Sequence, residues 1–385
     1  MRILMHERAD GAVHPGGDLV QLRRWTYWLR RAGHQVVRSA DAHHDLTGFD
    51  LVHLNNLGRA AALLPLAERC GRHGIPTVLT TLYWPTTDFE RHGRPGWLGR
   101  CVGWLPDAVR DRLKSGVRFW RRPRSEHWRE LWHGTQRVTR NLLNEVSAAI
   151  AVCEAEAELL RPMTGVPIHI VPSGVDLYFS DAASPWVWGG QERPEEHPPS
   201  LDEVEPQDRV GVLCVGRFDP QKGQHRLIAA LADVEVPITL VGGTNPNYPG
   251  YRALCARRAG PLVTLLPPQP LTQLRRLYAS CQVHAQASWY ELSSLSALEA
   301  AASGAGIVTA AAGGMPEYLG GEARYVEPGD VEGLRAAVLQ ALAAPPSARL
   351  AERMRRCFTW ELSTRQLADA YAAVLAHPAS SRRAA

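Results

Sequence analysis

The sequence predicts an α/β protein built from two doubly wound parallel sheets, one in each of two domains. The chain has 385 residues, which is more than a single hydrophobic core usually organises. Short apolar runs alternate with amphipathic stretches along most of its length, which is the pattern of repeated strand–helix units. A stretch rich in proline and acidic residues, 184–208, interrupts this alternation and is interpreted as a linker or long surface loop.

Apolar runs in the first half predict a sheet of parallel strands. They span residues 2–6, 35–40, 51–54, 76–82, 148–152 and 168–174. Helices are predicted over about 18–31 and about 125–145. Residues 83–124 break the alternation and are interpreted as an insertion.

The alternation resumes after the linker and predicts a second sheet. Its strands are expected at residues 210–216, 238–243, 263–268, 283–288 and 306–311. The stretches between them are interpreted as helices. In doubly wound sheets, ligands bind at the carboxyl ends of the strands, and inter-domain clefts are favoured sites. The strand-to-helix loops are therefore the places to look for chemistry.

The composition is that of a soluble globular protein, with 45% hydrophobic and 21% charged residues. No apolar run approaches the ~18 residues needed to span a bilayer. The first residues, MRILMHERADG, hold no apolar run long enough for a secretory signal. The 7 cysteines include no C-x-x-C pair, which argues against a disulfide framework or a zinc ribbon. We therefore expect a reduced, cytoplasmic protein.

Positive charge is concentrated in one segment. Net charge is +4, but residues 91–140 hold 13 Lys and Arg against 4 Asp and Glu, with 5 of the 12 tryptophans. Within 105–124, apolar residues recur at helical spacing among basic ones: Leu105, Val109, Leu113, Val117 and Trp120, with Arg110, Arg112, Lys114 and Arg118. Such a helix could lie on an anionic membrane, or pack its apolar stripe on the domain with its arginines in water. No nucleic-acid-binding motif accompanies the charge, so nucleic acid is not an expected partner.

The stretch VGRFDPQKGQHRLIAAL, residues 215–231, places two cations in a strand-to-helix turn. The strand is expected to end at Gly216 and the helix to begin near Gly223, with Arg217 and Lys222 between them. Such turns bind anions, and both side chains suit phosphate oxygens. Two solvated surface cations are the simpler interpretation. Lysine is rare here, since Lys114 is the only other one, and this favours a functional role.

The stretch ASWYELSSLSALEAAASG, residues 287–304, carries two carboxylates between a predicted strand and a helix that begins near 293–295. Glu291 is expected in the loop, and Glu299 near the first turn of the helix. Structural roles are available, because Ser296 and Glu299 fit a capping box and an acid is favoured near a helix N-terminus. The functional interpretation is that the amides of Ser294 and Leu295 face a phosphate, while the carboxylates accept hydrogen bonds from sugar hydroxyls.

Two glycine loops follow other strands. One is AAAGGMPEYLGG, residues 310–321, and the other holds Gly16 and Gly17 after the first strand. Each permits close approach of the backbone to a ligand, although glycine turns are common. Four motifs thus occur in a fixed order: the glycine loop, G-R-x(4)-K-G, E-x(7)-E and G-G-x-P-E.

In this order the motifs resemble those of the retaining nucleotide-sugar glycosyltransferases of the GT-B fold (glycosyltransferase family 4, glycosyl transferases group 1). The E-x(7)-E motif is the most specific part. VPSGVDLYF at 171–179 is similar to the family's segment ahead of the domain junction. FTWELSTRQLADAY at 358–371 is similar to its closing helix. The resemblance covers most of the chain.

The resemblance implies two Rossmann-like domains facing across a cleft. An acceptor-binding domain is expected at 1–180, a linker at 181–208 and a donor-binding domain at 209–357. A helix at 358–377 would cross back towards the first domain, and 378–385 would form a flexible tail.

The resemblance also implies roles for individual residues. Arg217 and Lys222 would grip the donor diphosphate, with Glu291 on the transferred sugar and Glu299 on the ribose. Amides near Ser294 and Leu295 would hold phosphate. The residues implied as catalytic are Glu291, Arg217 and Lys222, while Gly16 and Gly17 would lie near the diphosphate and the anomeric centre.

The chain departs from the family pattern at two places. Leu292, Ser293 and Ser294 stand where the family usually has Gly-Phe-Gly or Pro-Gly after the first glutamate. Many members also have a histidine in the loop after the fourth strand, where this chain reads TTLYWPTTDF. Acceptor-side candidates in that loop are Tyr83, Trp84 and Asp88.

The function implied by the resemblance is transfer of a sugar from a nucleotide-diphosphate sugar to a saccharide or lipid-linked acceptor, with retention of configuration, in cell-envelope polysaccharide, lipopolysaccharide or glycolipid synthesis. No cofactor and no metal are expected, and the sequence holds no D-x-D triplet. Peripheral contact with the inner face of the membrane through 105–124 is part of the hypothesis. Two alternatives stay open: an inactive sugar-nucleotide binding module, and an NAD-dependent oxidoreductase, although no G-x-G-x-x-G follows a strand.

Overall fold

The computed structural model describes residues 1–11, 16–94, 103–106, 109–113, 116, 120, 130, 132–175, 208–345 and 347–377. Nearly all of the predicted linker 181–208, much of the insertion 83–124 and the tail 378–385 lie outside these described residues.

The chain divides into two compact units. The first is built from residues 1–91, 97–173 and 360–385, and the second from 92–96 and 174–359. Within the described residues, each unit contains one six-stranded sheet whose strands all pair in parallel. The prediction of two doubly wound parallel sheets is confirmed.

The sheet of the first unit has the order β2-β1-β3-β4-β5-β6. Its strands are β1 Arg2–His6, β2 Gln35–Ser39, β3 Leu51–Asn55, β4 Thr77–Thr80, β5 Ala148–Ala151 and β6 Ile168–Ile170. Its helices include α1 Gly17–Arg31, α2 Ala60–Arg72, α3 Thr135–Glu145 and α4 Glu154–Leu160. Every residue of β4 and β5 is buried, as expected of parallel strands covered on both faces.

The helix predicted over 125–145 is interrupted at Gly134, since residues 130, 132 and 133 are helical and a separate helix follows. Gly134 has a φ of 77°, so helical geometry cannot continue through it, and α3 starts at Thr135. Residues 125–129 lie outside the described part of the chain.

The last helix, α12 Trp360–Ala376, belongs to the first unit and packs against α1. The indole Nε1 of Trp25 donates to Ser363 Oγ over 2.9 Å, and this hydroxyl donates to the carbonyl of Pro172. On the other side of the contact, the Tyr371 hydroxyl and the His53 imidazole form a buried hydrogen bond. These bonds fix α12 to the core of the first unit.

The sheet of the second unit has the order β12-β11-β10-β7-β8-β9. Its strands are β7 Val212–Val215, β8 Ile238–Val241, β9 Val263–Leu266, β10 Val283–Ala285, β11 Gly306–Ala310 and β12 Arg324–Val326. Its α-helices within the described residues are α5 Gln224–Ala230, α6 Tyr251–Arg258, α7 Leu271–Ser280, α8 Leu295–Ala302, α9 Met315–Leu319, α10 Val331–Ala343 and α11 Ala348–Cys357. The edge strand β12 was not predicted. Among the described helices, none combines the length and the apolarity needed to cross a bilayer.

Candidate active site

The loops that follow β7 and β10 lie side by side, because these strands are neighbours in the second sheet. The chain proceeds from this pair in opposite directions, to β8 on one side and β11 on the other. Ligands of doubly wound sheets bind at such a reversal, outside the carboxyl ends of the strands. Arg217 and Lys222 lie in the first loop and Glu291 in the second, so the fold brings three sequence-predicted residues to one edge.

Asp219 shapes the loop after β7. Its buried carboxylate accepts a hydrogen bond from the Gln221 amide at 2.9 Å and another from the Asn245 side chain. It also pairs with Arg217, whose Nη2 lies 3.2 Å from Asp219 Oδ2. The Asp219 carbonyl accepts from the Lys222 amide at 2.9 Å, which completes a tight turn. Because 42% of the Arg217 side chain is exposed, its positive charge remains accessible at this edge.

Lys222 and Glu291 form the central ion pair of the site. Lys222 Nζ lies 2.6 Å from Glu291 Oε1, and the Ser288 hydroxyl donates to the same oxygen. The Glu291 side chain is only 6% exposed. Burying an unpaired carboxylate is costly, so this pair explains how the acid is tolerated here. It also places a cation and an acceptor within reach of one ligand.

The glycine turn after β11 holds the main chain of Glu291. The Glu291 amide donates to Ala312, and its carbonyl accepts from Gly314 at 2.9 Å. Gly313 has a φ of 117°, and a Cβ there would lie 2.0 Å from the Glu291 carbonyl oxygen. The predicted close approach at this glycine is thus an approach to the Glu291 backbone.

The loops after β7 and β10 are joined by further contacts. The Trp289 amide donates to the Gln221 carbonyl at 2.9 Å, and the Gln221 side chain donates to the Tyr290 carbonyl at 3.0 Å. The Arg226 guanidinium lies 4.7 Å from the centre of the Trp289 ring and donates to the Ala287 carbonyl. Burial lowers the pKa of Arg226 to about 10. The segment that carries Glu291 is therefore held from two sides.

Helix α8 begins immediately after this segment, with Ser294 as its N-cap residue. The proposed capping box is wrong, because Ser296 lies inside the helix and donates to the Val215 carbonyl at 2.9 Å. The Ser294 hydroxyl instead donates to Gln286 at 2.7 Å, and its amide points to Met315 Sδ at 3.2 Å. A phosphate on the Ser294 amide would displace that sulfur. Leu295 is the first residue of the helix, where backbone N–H groups lack intrahelical partners.

Glu299 lies in the second turn of α8 and is half-buried. The Tyr278 hydroxyl lies beside its carboxylate, and burial together with that charge raises the pKa of Tyr278. His284, on β10, is fully buried behind the site. Burial lowers the pKa of His284 to about 3, and the charge of Lys222 contributes in the same direction.

The remaining predicted site residues belong to the first unit. Gly16 is the N-cap residue of α1, and Gly17 is the first residue of that helix. Tyr83 and Trp84 are half-buried and follow the carboxyl end of β4, whereas Asp88 is exposed. Burial raises the pKa of Tyr83.

Part of the basic segment 105–124 is described. Residues 109–113 are helical, and both Val109 and Leu113 are exposed, as is Trp120. Arg110 is buried instead and donates to the Gly103 carbonyl at 3.3 Å. At these positions the arrangement is the reverse of an apolar stripe packed on the domain. Val117, Arg118 and Lys114 lie outside the described residues.

Sequence reasoning missed Asp219, Asn245 and Ser288 as members of the site. An Asp-Pro pair favours turn initiation, so the Asp219–Pro220 step was a usable signal. Asn245 and Ser288 had no local signal, because their roles depend on contacts between separate loops. Over the described residues, no group of three or more His, Cys, Asp or Glu side chains is arranged to hold a metal ion.

Two family models match the chain. Glycosyltransferase Family 4 matches residues 3–179, and Glycosyl transferases group 1 matches residues 209–344. The fold and the site define a protein of two doubly wound domains with a cationic turn and a paired carboxylate at one sheet edge. The chain thus contains a Glycosyltransferase Family 4 domain followed by a Glycosyl transferases group 1 domain. The resemblance stated from the motifs is confirmed.

Comparison with individual proteins gives the same class. The chain is 28% identical to MMP alpha-(1->4)-mannosyltransferase of Mycolicibacterium hassiacum, over 69% of this chain and 62% of that protein. It thus spans less than two thirds of that curated relative's length.

Among solved structures, the chain is similar to sucrose-phosphate synthase from Thermosynechococcus elongatus, with a TM-score of 0.70 and 18% identity over 98% of this chain and 99% of that chain. It is also similar to Anabaena HepE in complex with UDP-glucose, with a TM-score of 0.64 and 19% identity over 97% and 100% of the two chains. Both likenesses concern the fold.

Proposed function

We propose that this chain transfers a glycosyl group from a nucleotide-diphosphate sugar to a hydroxyl of a saccharide or lipid-linked acceptor, with retention of configuration. The observation that carries the proposal is the Lys222–Glu291 pair beside an accessible Arg217, at the strand reversal of the second sheet. The two matched family domains support the reaction class. Cell-envelope polysaccharide, lipopolysaccharide or glycolipid synthesis is the setting that we propose.

Departure of a nucleoside diphosphate leaves negative charge on phosphate and positive charge on the sugar ring. Arg217 and Lys222 would stabilise the leaving group, since charges placed where charge develops lower the barrier. The leaving phosphate would accept the acceptor's proton on the retained face, so no separate strong base is required. The reaction proposed here uses no metal and no cofactor.

The two glutamates would hold the donor's hydroxyl groups. Glu291 has one oxygen occupied by Lys222 and Ser288, so Oε2 is the atom assigned to a hydroxyl of the transferred sugar. Glu299 would bind the ribose, and the Leu295 amide a phosphate oxygen. Gly16 and Gly17 are assigned to the diphosphate on the same resemblance.

A thermal-shift screen against UDP-, GDP-, ADP- and dTDP-sugars tests the proposal. Ligands that bind only the folded state raise Tm, so the cognate nucleotide should shift the wild type. Lys222→Met should reduce that shift. Nucleotide release and NMR of the product's anomeric proton then report turnover and stereochemistry. Selective binding without turnover would support the inactive-module alternative, and inversion would overturn the retention claim.

We also propose that segment 105–124 contacts an anionic membrane from the cytoplasmic side. Val109, Leu113 and Trp120 are exposed, with Trp120 at 85%, and exposed Arg112 lies among them. Apolar and cationic side chains together favour such surfaces. Trp120→Ala and Arg112→Glu should weaken sedimentation with phosphatidylglycerol vesicles, whereas phosphatidylcholine vesicles serve as the control. Equal sedimentation of wild type and variants would contradict this assignment.

A further inference from the structure

The loop after β4 contains a residue in an uncommon backbone conformation. Leu82 has a φ of 49°, and only one other non-glycine residue of the described chain, Asn56, has a positive φ. A bulky side chain in the left-handed region is strained and persists only where the surroundings enforce it. Tyr83 and Trp84 follow directly, so whatever enforces Leu82 also sets the direction of these aromatic residues.

Glu156 is the group that enforces it. It belongs to α4, after β5, and it is 0% exposed. Its Oε1 accepts from the Tyr83 amide at 2.6 Å and from the Thr81 hydroxyl. Its Oε2 accepts from the Val152 amide at 2.8 Å. One carboxylate therefore binds the residues on both sides of Leu82 and ties them to the end of β5.

The neighbouring bonds leave this turn little freedom. The Thr81 amide donates to the Ile150 carbonyl at 3.0 Å, and the single hydroxyl proton of Thr81 is shared between this carbonyl, at 3.1 Å, and Glu156. The Thr81 carbonyl accepts from the Leu57 amide at 2.8 Å. Thr81 is thus fixed in the sheet, and the Tyr83 amide is the next point at which the chain is held. Without Glu156, Leu82 could relax to the ordinary region and rotate Tyr83 and Trp84 away.

Burying a carboxylate costs desolvation free energy, so its hydrogen bonds must compensate. Burial raises the pKa of Glu156, while the hydrogen bonds from Thr81, Tyr83 and Val152 oppose that rise. Glutamate offers two acceptor oxygens and no donor, which is what three converging donors require.

We infer that Glu156 is a positioning residue for the acceptor, which orients Tyr83 and Trp84 by holding Leu82 in its left-handed conformation. This inference rests on the proposed function, because it assumes that the aromatic pair faces an acceptor sugar. Glu156 does not touch the acceptor, and donor binding in the second unit is independent of it.

Glu156→Gln tests the inference with little change of shape. The amide nitrogen of glutamine must face Val152 or Tyr83 N–H, so a donor opposes a donor. Glu158→Gln, at an exposed position of the same helix, is the matched control. Acceptor KM is measured with p-nitrophenyl α-glycosides of glucose, galactose and mannose, and donor hydrolysis is measured without acceptor.

We expect Glu156→Gln to raise acceptor KM on the order of 10-fold, the loss of one charged hydrogen bond. Donor hydrolysis should stay within a factor of about 2, since the donor site is untouched. Glu158→Gln should match the wild type in both. An unchanged acceptor KM in Glu156→Gln, or an equal rise in Glu158→Gln, would overturn the inference.

Hydrogen exchange of peptides covering 79–85 gives a readout without turnover. Glu156→Gln should exchange faster there than the wild type, and Glu158→Gln should not. If the wild type uses none of these acceptors, the proposed function fails for them. Hydrogen exchange still tests whether Glu156 holds the turn at Leu82. Unchanged exchange in Glu156→Gln would then overturn it.

Discussion

Gly223 lies close to the backbone of Ala287: a Cβ atom at position 223 would lie 2.2 Å from the carbonyl oxygen of Ala287. Gly223 also has a φ of 67°, a left-handed conformation that other residues adopt at a cost. It is the N-cap residue of α5 and follows Lys222 directly. The contact therefore sets how closely the lysine approaches the segment that ends in Glu291.

Gly223→Ala should destabilise the fold and separate the two loops. We expect a loss of about 1–3 kcal/mol in the free energy of unfolding, from overpacking and backbone strain. The kcat/KM of the folded protein should also fall, because the Lys222–Glu291 distance of 2.6 Å would lengthen. Urea unfolding and kcat/KM measure both.

Gly260→Ala is the control, since a Cβ there meets nothing within 4 Å and its φ is not positive. A Gly223→Ala protein as stable and active as the Gly260→Ala protein would contradict the role of this contact.

Lys222→Met and Arg217→Met should each lower kcat/KM by about 100-fold or more, because each removes a charge aimed at the leaving diphosphate. Initial rates of nucleotide release measure the effect. Arg335→Met removes a cation that pairs with exposed Asp233 and should leave the rate unchanged. Similar rates in all three variants would refute the assignment of the donor phosphate site.

The Lys222–Glu291 pair should show coupling in a double-mutant cycle. Lys222→Met leaves a buried carboxylate without its cation, so we expect a loss of about 1–3 kcal/mol in unfolding free energy. Glu291→Gln should cost less, because Lys222 can reach water. The double variant should then be more stable than the sum of the single changes predicts. Strict additivity would show that the pair is not formed in solution.

Stability should fall in acid because of two buried imidazoles. Burial lowers the pKa of His53 and of His284 to about 3, from an ordinary 6.5. The unfolded chain takes up these protons first, so this contribution is complete above pH 6.5 and is lost as pH falls towards 3. Each histidine adds a slope of about 1.4 kcal/mol per pH unit within that window.

NMR titration checks this directly. The ring signals of His53 and His284, assigned with single His→Gln variants, should remain those of the neutral imidazole at pH 5. A titration midpoint near 6.5 for either ring would disprove its burial in the folded state.

The bond between Trp25 and Ser363 should contribute to the stability of the first unit. Trp25→Phe removes the indole donor but keeps an aromatic ring, and we expect a loss of about 1 kcal/mol or more from the bond and the smaller ring. Glu361→Gln alters an exposed i,i+4 pair with Arg365 on α12, the helix that carries Ser363. This change should have little effect on the free energy of unfolding. Denaturant unfolding followed by circular dichroism compares them. Equal stability of the two variants would contradict the anchoring role.

The central strands were predictable because parallel strands covered on both faces are short apolar runs. The run 148–152 became Ala148–Ala151, and the run 2–6 became Arg2–His6 without change. Strand β12 was not predicted because it has three residues, lies at the sheet edge and has only one buried residue, Val326. The helix boundary at Gly134 depended on a backbone dihedral that no periodicity reports.

The kinds of residue in the site could be predicted from the sequence, but the contacts between them could not. Cations in a strand-to-helix turn and two acids after a later strand are visible in the sequence. The pairing of Lys222 with Glu291 joins residues 69 positions apart and follows from the adjacency of β7 and β10. The buried Glu156 was not singled out, because its partners lie on another loop. The assigned roles of Glu299, Gly16 and Gly17 stay predictions.

The bridge between the Glu291 backbone and Gly313 has a consequence for how donors are told apart. A carboxylate on a free loop could follow the hydroxyl of any hexose, and epimers would bind alike. Here the Glu291 backbone is bonded to Ala312 and Gly314 in the turn after β11, which limits how far the carboxylate can move. A sugar with one hydroxyl inverted would meet an acceptor that cannot shift without breaking a strand-like pairing. Under the proposed function, donor selectivity would therefore depend on the main-chain position of Glu291, which the turn at Gly313 holds.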